Sequence, residues 1–121
     1  MITSLTYYVR DVYCIDVFTF VETKLFTQLV GRYLSDDEYS ALQQSLMANP
    51  EAGSVIRGSG GVRKLRWSVA GRGKRVGIRV IYYRRLQQGL IWMLTLYAKN
   101  EADSIPGHVL KRIKEEIDGK G

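Results

Sequence analysis

Cys14 and His108 are the only thiol and the only imidazole in the chain. One cysteine excludes an internal disulfide and leaves no thiolate set for a structural zinc site. With a single histidine beside it, neither a transition-metal centre nor an acid–base pair of histidines is expected. A nucleophilic Cys–His couple would need an exposed, activated thiol. The neighbours of Cys14 in VYCID are strand-like and apolar, so it reads as a small buried hydrophobe. The chain also lacks any apolar run of about eighteen residues, and no membrane-spanning helix is expected. In MITSLTYYVRDVYCID, Asp11 and Asp16 interrupt what a secretory leader would keep apolar, so a cytoplasmic location is expected.

Negative charge is scarce in one place only. From Ala52 to Asn100 there are eleven Lys or Arg residues and no Asp or Glu; all twelve acids lie outside that window. Ordinary protein surfaces intersperse both signs. A stretch of one sign on a chain of net charge +6 attracts polyanions, of which phosphate backbones are the commonest. At 121 residues, 45% hydrophobic and 25% charged, the chain has the makings of one ordinary globular domain.

Residues 17–22, VFTFVE, are β-branched and aromatic and predict a first strand. Thr23 can cap a helix in which Leu25, Phe26, Leu29, Val30 and Tyr33 recur at helical spacing. Ser35 and Glu38 in SDDE have the spacing of a capping box, with Asp36 and Asp37 favouring the positive helix start. That second helix carries Tyr39, Leu42 and Leu46 on one stripe and ends at Asn49-Pro50. Gly53, Gly58, Gly60 and Gly61 mark a turning connection, and three strand-like runs follow, Val62–Val69, Gly77–Arg84 and Leu90–Tyr97. Short connections between them, AGRGK (70–74) and QQG (87–89), imply an antiparallel meander. A last helix has Pro106 in its first turn and Val109, Leu110, Ile113 and Ile117 on one face. The fold class expected is α+β: a small twisted antiparallel sheet of about four strands, two N-terminal helices packed on one face, and a short C-terminal helix on the same side.

Alternation along strands assigns faces. Leu65, Trp67 and Val69 share one face, as do Ile78, Val80 and Tyr82, and Trp92, Leu94 and Leu96 in the third run; these are the expected core. The opposite face gathers Lys64, Arg66, Arg79, Tyr83, Tyr97 and Lys99. Cations interleaved with aromatics suit single-stranded nucleic acid: guanidinium groups fork onto phosphates and tyrosine faces offer stacking to unpaired bases. Arg72, Lys74 and Arg75 at the hairpin tip are expected to attract phosphate without reading bases, and Arg63 joins them and Tyr83 as an RNA-binding candidate. No helix carries the basic residues, which makes the DNA major groove a poorer target.

Read together, FVETKLFTQLV (20–30), YLSDDEYSALQ (33–43), NPEAGSVIRGSGGVRKLRW (49–67), GRGKRVGIRVIYY (71–83) and LYAKNEADSIP (96–106) resemble the RelE/ParE superfamily of toxins from bacterial type II toxin–antitoxin systems, in its HigB-like branch. The resemblance covers about Phe20 to Ile117, so the toxin-like domain is placed at 17–118, with 1–16 an N-terminal extension, either an added strand or a start assigned too early. It implies a RelE-like fold and ribosome-dependent cleavage of mRNA. The substrate's 2′-OH attacks the adjacent phosphate without a metal or other cofactor, and translation stops. It also implies a HigA-like helix–turn–helix antitoxin as partner, alongside the ribosome and mRNA.

Carried over by motif, Lys64 and Arg66 match paired basic positions on a strand, and Arg79 matches the strand arginine that contacts the scissile phosphate. Lys99 and Tyr97 stand near positions where relatives have an arginine and a tyrosine; this chain has Asn100 and Pro106 there instead. The catalytic candidates are thus Lys64, Arg66, Arg79, Tyr97 and Lys99. Lys64 and Lys99 are candidate general bases, since a lysine crowded by arginines gives up its proton more easily. Glu101 can move a proton, orient Lys99 or cap the last helix. Rival readings are a ParE-like inhibitor of DNA gyrase and a non-catalytic RNA- or ribosome-binding module.

Overall fold

The computed structural model describes residues 3–10, 15–71, 74–99 and 106–119. Strands β1 (Thr3–Arg10) and β2 (Ile15–Glu22) lead into helices α1 (Lys24–Tyr33) and α2 (Asp36–Ala48). The two-residue β3 (Ser54–Val55) precedes β4 (Arg63–Gly71), β5 (Lys74–Arg85) and β6 (Leu90–Ala98), and α3 (Gly107–Gly119) closes the order. All six strands form one sheet in the order β1-β2-β6-β5-β4-β3. Among the described residues no helix is long and apolar enough to cross a membrane.

The helix starts follow the local chemistry. Thr23 Oγ1 accepts from Phe26 N at 3.1 Å. Ser35 and Glu38 exchange both bonds of the capping box, at 3.2 and 2.8 Å. Each such cap satisfies amides that have no partner within the helix, and is worth about 1 kcal/mol. The α1–α2 pair lies on one face, where Phe26, Leu42 and Leu46 meet Phe20, Ile78, Val80, Tyr82, Met93 and Leu96. Buried Glu22 ties β2 to both helices, accepting from Thr27 Oγ1 at 2.7 Å and Tyr39 Oη at 2.5 Å.

Three expectations change. The sheet has six strands where about four were expected, and the extension supplies one of them: β1 pairs with β2 from Thr3↔Glu22 to Arg10↔Ile15. The sheet is mixed, since β2 runs parallel to β6 (Thr19↔Leu90 to Glu22↔Met93) while every other pairing is antiparallel. Hairpin lengths predict only neighbours in sequence. The partner of β2 lies some seventy residues away and is chosen by packing.

The helices, finally, do not share a side. Leu110 and Ile117 of α3 bury against Val21, Val62, Ile81, Trp92, Leu94 and Tyr97, on the face opposite α1 and α2.

A bulge explains how β6 serves both layers. The register passes from Ile81↔Thr95 to Tyr82↔Met93, leaving Leu94 as an extra residue. Ile91 and Met93 face α1 and α2, and after the bulge Leu96 and Ala98 do. Trp92, Leu94 and Tyr97 face α3. Strict alternation wrongly grouped Trp92 and Leu94 with Leu96. The bulge also anchors α1, because Thr23 Oγ1 donates to Leu94 O at 2.7 Å.

Candidate nucleic-acid interface

The α3 face of β4, β5 and β6 carries the cations. Register places Arg66 directly opposite Arg79, and Arg79 directly opposite Tyr97, one row across three strands. The next row toward α3 is Lys64, Ile81 and Thr95. On the other side Ser68 pairs with Gly77, and Lys99 N donates to Gly77 O at 3.0 Å. The five catalytic candidates, Lys64, Arg66, Arg79, Tyr97 and Lys99, thus fall on adjacent rows. Arg66 and Lys99 are exposed and Lys64 half-buried, while Arg79 is 9% exposed and Tyr97 8%.

Like charges directly opposite each other on a sheet destabilise it, by up to about 1 kcal/mol per pair. Arg66 and Arg79 occupy such opposed positions in the register. Among the described residues no carboxylate lies within ion-pair distance of Lys64, Arg66, Arg79 or Lys99. The ion pairs form elsewhere, Arg84 with Glu51 at 3.2 Å, and Arg85 and Lys114 with Asp118 at 3.6 and 2.9 Å. An anion on this face would be attracted by both side chains and relieve the crowding of like charge.

The remaining candidates separate from this cluster. Tyr83 lies under α3: its hydroxyl donates to Asp118 Oδ1 at 3.3 Å, and the Lys114 ammonium sits 5.3 Å from its ring centre. The Lys114 hydrogen bond holds the Asp118 carboxyl below its ordinary pKa and raises that of Lys114 in return. Tyr83 is therefore a docking residue for α3, half-buried beneath it, and also lines a surface pocket with Arg84, Arg85, Gln87 and Gln88.

Arg63 is on the opposite face. Its Nη1 donates to Gly53 O at 2.6 Å and Glu51 O at 3.2 Å, clamping the turn after α2. Tyr82 holds the same turn, donating to Pro50 O at 2.8 Å and accepting from Gly53 N at 2.9 Å, and burial raises its pKa. Arg72 and Glu101 lie outside the described residues. Lys74 and Arg75 open β5 opposite Gly71 and Ala70, and their side chains also lie outside the description. Tyr97 packs in the α3 core, so it walls the row more than it offers a stacking face.

Sequence reading passed over two members of the site, Ser68 and Gly77. Ser68 has the parity of Lys64 and Arg66, a signal that was available. Gly77 has no side chain to mark it. Its neighbours alone show what it does.

α3 packs over only part of this face because of where it starts. The turn before β4 is held by buried Ser59, whose Oγ donates to Ile56 O at 2.6 Å and accepts from Val62 N at 3.0 Å. Gly107 rests on this turn so closely that a Cβ there would stand 2.1 Å from Arg57 O. α3 therefore covers the Val62, Ile81 and Trp92 end of the face and leaves Arg66 and Lys99 to solvent. No protein-family model matches the chain.

Proposed function

We propose that the chain is the toxin of a type II toxin–antitoxin system and cleaves mRNA on the ribosome. The observation that carries this reading is the directly opposed Arg66–Arg79 pair, flanked by Lys64 and Lys99, with no described carboxylate to pair it. A phosphodiester satisfies that arrangement.

In the reaction the substrate's 2′ oxygen forms a bond to the adjacent phosphorus and the P–O5′ bond breaks, leaving a 2′,3′-cyclic phosphate and a 5′-OH. The proton leaves the 2′-OH for a base and another reaches O5′. Arg79 and Arg66 stabilise the charge that builds on the phosphorane oxygens. Lys64 or Lys99 takes the 2′-OH proton. The cognate partner is a helix–turn–helix antitoxin that presents acid to the basic rows or blocks access to the ribosome.

The test is primer extension on mRNA in a translating extract. The wild-type chain cuts the message, and Arg79→Ala loses at least about a hundredfold in rate, the scale for removing one preorganised oxyanion donor. Intact message together with growth arrest and DNA-damage signalling would point instead to gyrase inhibition. Intact message without either would leave RNA or ribosome binding.

A further inference from the structure

Gly77 stands in the interior of β5, where glycine weakens a strand and marks a close approach by another group. Its backbone does not require glycine. The described glycines with positive φ are Gly58, Gly60, Gly61 and Gly89. Among the described residues, the one neighbour that a Cβ at position 77 would meet is Arg79 Nη1, at 3.4 Å. Residues 77 and 79 share a face of the strand. The Arg79 side chain therefore folds back along β5 and brings its guanidinium to the bare Gly77 backbone, and it is 9% exposed in a row whose neighbour Arg66 is open to solvent. That places the charge in the row of Ser68 and Lys99 instead of against α3.

We infer that Gly77 is the positioning residue of the cationic site: its missing side chain makes the recess in which Arg79 lies flat, so that one phosphate is held between Arg79, Lys99 and Ser68. The inference rests on the RNA-cleavage reading for the identity of the ligand, and on geometry alone for the posture of Arg79. A methyl group at 77 only touches Nη1. A branched side chain takes the volume of the guanidinium and stands Arg79 up into solvent, on a backbone that favours β-branched residues.

Two measurements on Gly77→Val and Gly77→Ala test it. The first is the rate at which an arginine-directed dicarbonyl modifies Arg79, followed by mass spectrometry without any RNA. Gly77→Val should speed modification severalfold and Gly77→Ala should leave it near wild type; equal rates in all three proteins overturn the inference. The second is the affinity for a fluorescent single-stranded oligonucleotide with 2′-O-methyl riboses, which cannot undergo 2′-OH attack. Gly77→Val should weaken binding by about tenfold, as for one charge-assisted hydrogen bond. It should have no further effect in an Arg79→Ala background, and additive losses overturn the inference. A wild-type chain that does not bind the oligonucleotide defeats the RNA reading, while the modification rates still decide what Gly77 does.

Discussion

Tyr82 has no exposed surface, yet its hydroxyl serves two backbone groups of the turn after α2, Pro50 O and Gly53 N. Tyr82→Phe leaves both without that partner, and stability should fall by about 1–3 kcal/mol in a denaturant titration. The same phenol makes stability depend on pH. Burial lifts its pKa above the ordinary 10.0, so the unfolded chain loses this proton first. Stability from this group is therefore complete below about pH 10 and falls as pH rises toward the folded-state value. Thermal melts across the alkaline range should show this decline in the wild type and a shallower one in Tyr82→Phe.

Arg63 belongs to the same corner, and its two carbonyl acceptors show why a basic residue beside Lys64 need not touch substrate. A one-residue step along a strand changes the face, and with it the role.

At the scale of elements, helix caps and stripes were legible because their physics is local. Thr23, Ser35 and Glu38 find partners three residues away, as their spacing predicts. The docking of α3 was not legible, because it depends on Gly107 meeting Arg57, fifty residues earlier. Gly107→Ala places a methyl group against a backbone carbonyl that cannot move aside, and should cost about 1–3 kcal/mol. Faster hydrogen exchange in α3 would localise the loss.

The contrasting substitution is Gly31→Ala in α1, where a Cβ meets nothing within 4 Å. It should stabilise the protein by about 0.5–1 kcal/mol, since glycine is a poor helix residue. A rise in melting temperature for Gly31→Ala and a fall for Gly107→Ala would separate the two kinds of glycine.

For the whole molecule, the imbalance of charge is the dominant fact. If RNA phosphates are held by Lys64, Arg66, Arg79 and Lys99, log affinity for single-stranded RNA should fall against log salt with a slope of roughly −3 or steeper. Arg66→Gln should flatten that slope by roughly 0.7. An unchanged slope would remove Arg66 from the phosphate contacts.

Composition and hairpin spacing made the charge asymmetry, the β4–β5–β6 meander and the helix pair readable from the chain itself. Capping, helical periodicity and tight turns are decided within a few residues, so a one-dimensional reading contains them. Tertiary structure decided the parallel pairing of β2 with β6, the Leu94 bulge and the side taken by α3. These choices set which groups share a surface: Tyr83 goes under a helix, Arg63 to the far face, and Arg79 between Arg66 and Tyr97 above an empty Gly77 position. They arise from packing between segments distant in sequence, where the burial of apolar surface outweighs any local preference.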